Sequence, residues 1–280
     1  MDTSHARGFS PDIQRYLRRL YDPSLRHWRC TAKTPEEVRH WQDKARPSLH
    51  SLLGLDHIRQ EAAGHEPRAR FETPVEDCGE FTRRKCVLET EPEVHVPFWL
   101  FKPKGAARCP LAVTPHGHNL HGMDEYAGIA RDATEAERVE REDRAVAVQA
   151  AREGFITIAP ATRGLASGFV NDAFGRFDGR ACVSHFMQGL LAGRTSIGER
   201  VWDMQCLIDW ATGLDEVDTG TVLMTGNSGG GVVTVFAAAC DPRITIAVSS
   251  CAFSSFVGEN GMIQHHLCNV VPGILRFGEF

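Results

Sequence analysis

A serine flanked by glycines, set between an extended and a helical run, is the arrangement in this chain best suited to chemistry. The stretch reads Thr221-Val222-Leu223-Met224-Thr225, then Gly226-Asn227-Ser228-Gly229-Gly230-Gly231, then an apolar run from Val232 to Cys240. The first part has the β-branched, apolar character of a buried strand, and the last has the length and small residues of a helix. A turn this tight between them puts Ser228 at its tip with Oγ exposed, as a serine nucleophile requires. The serine is forced into a strained backbone conformation, and Gly226 and Gly230 let strand and helix approach without Cβ clashes. The N–H of Gly229, at the start of the helix, is expected to face the oxygen of an attacked carbonyl, where negative charge develops. No Lys follows the glycines and the pattern is not Gly-x-Gly-x-x-Gly, so a phosphate-binding loop is the poorer reading.

A nucleophilic serine needs a base, and the base needs an orienting acid. Downstream of Ser249 the candidates are Glu259, Glu279, His265 and His266, with no Asp. Glu259 with His265 or His266 would make a shortened acid and base set, but six or seven residues leave no room for a strand and helix between them. Upstream, Pro115-His116-Gly117-His118-Asn119 follows a short apolar strand and supplies a second loop that could meet the turn. Two local histidine groups, His116/His118/His121 and His265/His266, lack carboxylate or thiolate company at a recognised ligand spacing. Nine cysteines occur with no Cys-x-x-Cys pair, which reads as reduced thiols packed as small hydrophobes. No metal and no cofactor are expected.

The elements that must position these residues follow from punctuation and periodicity. Ser10-Pro11-Asp12 precedes an amphipathic run over 13–20, and Thr34-Pro35-Glu36-Glu37 opens a second helix through Val38, Trp41 and Ala45. Residues 1–63 are therefore expected as a helical N-terminal extension, too short for its own core, with a linker over 64–79. From residue 80 the pattern becomes strand and helix in alternation. Thr82–Thr90 and Val94–Lys102 predict an antiparallel hairpin at the sheet edge, Leu111–Thr114 and Phe155–Pro160 two buried strands, and 135–152 one charged helix between them. The segment 163–198 is glycine-rich with one apolar run at 183–191, a place for a cap or a wall of the site. A helix follows over 198–213, and after the turn helix Ile244–Ser249 is expected as another buried strand. Alternation of this kind predicts a mainly parallel sheet with helices on both faces.

The 280 residues suit one sizeable α/β domain with an appendage, and a net charge of −5 offers no electrostatic footprint for nucleic acid or an anionic membrane. The polar, arginine-bearing N-terminus shows no signal peptide or membrane span, so a cytoplasmic location is expected.

Taken together, His116-Gly117-His118, Ala159-Pro160-Ala161-Thr162-Arg163-Gly164, Arg200-Val201-Trp202-Asp203, Glu216-Val217-Asp218, Gly226-Asn227-Ser228-Gly229-Gly230 and Asp241-Pro242-Arg243-Ile244 resemble the α/β-hydrolase superfamily, in the acetyl xylan esterase and dienelactone-hydrolase-like group. The resemblance implies an α/β-hydrolase domain over 80–280. It implies a cofactor-free serine esterase acting on small carboxylic or carbohydrate esters. Ser228 would form the acyl-enzyme, and the N–H groups of Gly229 and His118 would make the oxyanion hole. His116 and Arg163 would brace the loops around it. In the family the acid and histidine follow later strands, and two further strand–helix units would need roughly 40–60 residues, so the C-terminal strands are expected to be missing. Three readings stay open: a shortened form of a serine esterase, a complete chain using Glu259 with His265 or His266, and a non-catalytic relative that binds a ligand or partner. An open sheet edge would also invite association with a second copy.

Overall fold

Alternation along the strands gives the sheet two apolar faces, and each face recruits its own helices. The computed structural model describes residues 15–16, 19–20, 22–165, 180–254 and 266–278. In chain order the elements are α1 (Pro35–Leu53), α2 (Leu55–Glu61), β1 (Arg68–Phe71), β2 (Glu76–Asp77), β3 (Phe81–Glu91), β4 (Val94–Pro103), β5 (Cys109–Val113), α3 (Met123–Tyr126), α4 (Ala133–Arg141), α5 (Val146–Arg152) and β6 (Ile156–Pro160). They continue with α6 (Ala181–Leu191), α7 (Ser196–Thr212), β7 (Val217–Asn227), α8 (Gly229–Cys240), β8 (Ile246–Ser250) and α9 (Ile274–Phe277). The strands run in the order β1, β3, β4, β6, β5, β7, β8, with β2 also on β3.

The sheet is mixed. β6, β5, β7 and β8 pair in parallel, whereas β1 to β4 pair antiparallel and join through β4 to β6. On one face Val96, Phe98 and Leu100 of β4 meet Leu111, Val113, Ile156 and Ile158, and α1, α2, α7 and α8 close over them. On the other, Phe81, Phe101 and Ala159 pack against Tyr126 of α3 and Ala147 and Ala151 of α5. Burying one large apolar side chain of this kind stabilises the fold by about 1.5–3 kcal/mol, so the two layers supply most of what holds the sheet.

α1 begins as expected, with a reciprocal cap: the Thr34 hydroxyl accepts from Glu37 N–H at 3.2 Å, and the Glu37 carboxylate accepts from Thr34 N–H at 3.2 Å. Its far end rests on α8, where Arg46 Nε donates to Ala239 O at 3.0 Å and the His50 ring bonds Cys240 O at 3.0 Å. Of the helix expected over 13–20, residues 15, 16, 19 and 20 are described and helical, and the other four lie outside the described residues.

Four expectations are corrected. The segment 64–79 is not a bare linker, because β1 and β2 within it pair antiparallel with β3. Both are short, charged and mostly exposed, as suits an outer strand, and periodicity over so few residues is weak. The β3–β4 hairpin consequently lies inside the sheet rather than at its edge. The single helix expected over 135–152 is two, α4 and α5, broken where Asp143 takes φ 50. Finally, the strand after α8 is β8, and Ile246 and Val248 are 45% and 52% exposed rather than buried. Among the described residues β8 has a strand neighbour on one side only.

Candidate active site

Where β7 passes into α8, Ser228 sits at φ 54 and ψ −118, a region that a residue with a Cβ rarely adopts. The surroundings hold it there. A Cβ on Gly230 would stand 2.0 Å from Pro115 O, and one on Gly226 would stand 2.5 Å from the same oxygen. Turn and loop are thus in backbone contact, and a Cβ on Gly226 would also stand 2.7 Å from Gly230 C and O, the close approach of strand and helix expected for this pair. Ser228 N–H donates to Ser250 O at 2.8 Å, tying the turn to the end of β8. Asn227 N–H donates to the Tyr126 hydroxyl at 3.2 Å, tying it to α3.

The loop after β5 lies against this turn. A Cβ on Gly117 would fall 2.5 Å from Asn227 O, 3.2 Å from Gly229 N and 3.3 Å from Ser228 Cβ. His118 follows, with its ring Nδ1 3.4 Å from where a Cβ on Gly229 would be. As the first residue of α8, Gly229 keeps an N–H that no carbonyl of its own helix can take. Ser228, Gly229 and the Gly117-His118 loop are therefore brought together. Ser228, Gly117 and His118 line a cleft of about 450 Å³ with Asn227, Tyr126, Arg144 and Ser250 on its walls. A second, more apolar cavity of about 190 Å³ lies under α1 against Phe236 and Phe277, and neither Ser228 nor the loop borders it.

His116 is fully buried and holds the loop from behind. Thr162 N–H donates to its Nε2 at 2.9 Å, so Nε2 is unprotonated and Nδ1 carries the proton toward Gly117 O at 2.7 Å. Burial pushes its pKa down to about 4, which keeps the ring neutral. Both ring nitrogens are engaged in bracing.

The next residue along, Arg163, anchors a buried ionic knot. Its Nε donates to Asp203 Oδ2 at 2.9 Å, and its Nη2 reaches Asp203 Oδ1 at 2.5 Å and Glu91 Oε1 at 2.9 Å. Thr90 Oγ1 adds a donor to Asp203 at 2.7 Å, and Arg194 pairs with Glu91. Burial opposes the charge of Arg163, and Asp203, with Glu199 and Glu91, more than restores it, so the guanidinium is held well above its usual range. Arg200, also fully buried, donates from Nε to Arg163 O at 2.9 Å and from Nη1 to Asn269 Oδ1 at 3.1 Å. The knot thereby fixes the turn after β6 to β3, α7 and the segment 266–269.

Among the described residues two imidazole–carboxylate pairs occur, His121 with Glu135 at 3.0 Å and His185 with Glu199. Neither makes a hydrogen bond to Ser228 Oγ. Glu259 and His265 lie outside the described residues. His266 is described, and its ring stands 4.4 Å, centroid to centroid, from that of His118. Beside these two rings are Cys182 of α6 and Cys268, both expected from sequence as packing residues only. His118, Cys182, His266 and Cys268 each bring one donor atom to within 4.8 Å of the others. No spacing rule could have found the set, since its members are drawn from three separate segments.

Three comparisons bear on this site. Residues 136–257 match the family model for acetyl xylan esterase, a stretch that includes β7, Ser228 and α8. None of the curated proteins compared matches the chain significantly. Among solved structures, a candidate acetyl xylan esterase from Bacteroides fragilis superposes with a TM-score of 0.74 at 13% identity, over 97% of this chain and 71% of its own. An acetyl xylan esterase from Paenibacillus sp. R4 superposes with 0.50 at 19% identity, over 70% of this chain and 57% of its own. A promiscuous CE15 esterase from a marine bacterial metagenome gives 0.50 at 17% identity, over 82% and 62%. No helix among the described residues is long and apolar enough to cross a membrane. The chain has the α/β-hydrolase fold, and by sequence its stretch around the strained serine is similar to the acetyl xylan esterases.

Proposed function

We propose that this protein hydrolyses carboxylic esters, acetyl groups on carbohydrate foremost, through an acyl-enzyme on Ser228. The observation that carries the reading is Ser228 itself, held at positive φ on a strand-to-helix turn that opens into a cleft. In the reaction, Ser228 Oγ attacks the ester carbonyl and its proton passes to a general base. The carbonyl oxygen, now negative, is received by the N–H of Gly229 and the N–H of His118. Collapse expels the alcohol and leaves the acyl group on Oγ, and water then repeats the sequence to release the acid. His116 and Arg163 act as positioning residues, the first through the loop that carries His118 and the second through the turn after β6. The polar walls around Asn227, Arg144 and Ser250 suit a hydroxyl-rich alcohol such as a sugar. The working unit is read as one α/β-hydrolase domain over 80–280, with the helices before it as an extension.

Hydrolysis of a short-chain aryl acetate by the chain, beside its Ser228→Ala variant, tests the reading. Loss of the nucleophile should remove turnover by up to about 10⁶-fold, the scale seen when a serine hydrolase loses its serine. Equal rates for the two proteins would sink the proposal and leave the non-catalytic binding reading in its place.

A further inference from the structure

We propose that His118, Cys182, His266 and Cys268 form a tetrahedral binding site for a thiophilic divalent cation of the zinc type. Two thiolates and two imidazoles are the donor set that Zn²⁺ takes in closed structural sites. With metal–sulfur bonds of about 2.3 Å and metal–nitrogen bonds of about 2.0–2.1 Å, the edges of such a tetrahedron measure roughly 3.3–3.8 Å. His118 Nε2 lies 3.4 Å from Cys268 Sγ, and Cys182 Sγ lies 3.7 Å from His266 Nδ1. The remaining edges are within 4.8 Å, so closure asks for side-chain shifts of about an ångström or less. The four donors therefore already stand close to the corners that a metal would impose.

The shell around them fits as well. Both cysteines are buried, with Leu165, Val183 and Phe186 packed about them, while the two histidines reach the surface and leave a path for the ion. Cys268 is followed by Asn269 and faced by Arg200, a fully buried guanidinium with no carboxylate ion pair among the described residues. Its Nη2 has no hydrogen-bond partner there either. Two thiolates cancel the charge of a divalent cation, and the two thiol protons leave to solvent as it binds. Once bound, the ion would staple the loop after β5, α6 and the segment 266–268. His118 would use its ring for this and leave its backbone N–H free, so the site is independent of the ester-hydrolase reading of Ser228.

The test uses the untagged full chain, reduced and stripped with chelator, titrated with Co²⁺ and then Zn²⁺. The expected result is uptake of one equivalent, with intense visible bands of tetrahedral Co²⁺, a thiolate charge-transfer band, and loss of both when Zn²⁺ displaces it. Cys182→Ser and Cys268→Ser should each weaken uptake by at least about 10²-fold, more than is typical for loss of an outer partner alone. A weak octahedral spectrum indifferent to these changes, or no uptake by the reduced protein, would overturn the proposal. So would a Cys182–Cys268 disulfide as the sole chemistry of the pair. Alkylation of the parent protein gives a second readout that does not depend on the folding of any variant: Zn²⁺ should shield both thiols from iodoacetamide, and unprotected labelling would overturn the site.

Discussion

Two regions fasten the loops that follow the parallel strands, and they do so by opposite means. At the turn around Ser228 the grip is backbone on backbone: Gly226 and Gly230 bring α8 against Pro115 O, at separations no Cβ would tolerate. At Arg163 the grip is side chain on side chain, through Asp203, Glu91, Arg194 and Glu199 drawn from distant parts of the chain. The first depends on the absence of atoms and the second on the balance of charges. A turn built on close approach should fail with the smallest added group. A knot built on charge should fail when one sign is removed and recover when the other is removed too.

The largest effect is expected at the turn. Gly230→Ala puts a methyl 2.0 Å from Pro115 O, a backbone atom that cannot swing away, and should cost about 4–5 kcal/mol or prevent folding. A urea unfolding midpoint close to that of the parent would break the comparison. Next comes the knot: Arg163→Met leaves Asp203 buried without its cation, takes one of two from Glu91, and should cost about 3–5 kcal/mol. Adding Asp203→Leu should return part of that stability, and a double variant worse than the sum of the single ones would remove the charge-balance account.

The third prediction concerns pH. His116 has a folded pKa of about 4 against about 6.5 unfolded, so only the unfolded chain takes up the proton between these values. Stability is unaffected above pH 6.5 and falls as pH drops toward 4, by about 3 kcal/mol at most from this residue. Denaturant titrations across that window should show the slope, and His116→Gln should flatten it. The smallest effect returns to the turn: Ser228→Gly relieves a positive φ and should stabilise the fold by about 1 kcal/mol while abolishing any serine chemistry. A lower melting temperature for Ser228→Gly would mean that the backbone there is not strained.

The turn was legible from sequence because every residue it needs is within eleven positions, Thr221 to Gly231, and each has a local reason to be there. The reciprocal cap at Thr34 and Glu37 and the hairpin strands β3 and β4 were legible for the same cause. What escaped was non-local or too brief. β1 and β2 are strands only because β3 lies beside them, and Asp143 breaks α4 from α5 through a backbone angle that the helical pattern around it conceals. The exposure of Ile246 and Val248 depends on what stands next to β8, which no β-branched run can report.

The sequence by itself determined the serine turn, the glycines that let strand and helix touch, and the order of strand and helix that makes an α/β-hydrolase. These follow from short-range sterics and periodicity, which act between neighbours along the chain. Only the tertiary structure decided that His116 accepts from Thr162 and stays neutral, that Arg163 and Asp203 share a buried knot, and that two cysteines and two histidines from three segments converge. Those facts belong to charge, burial and donor geometry across space, and they come into being when the sheet and its helices close over one another.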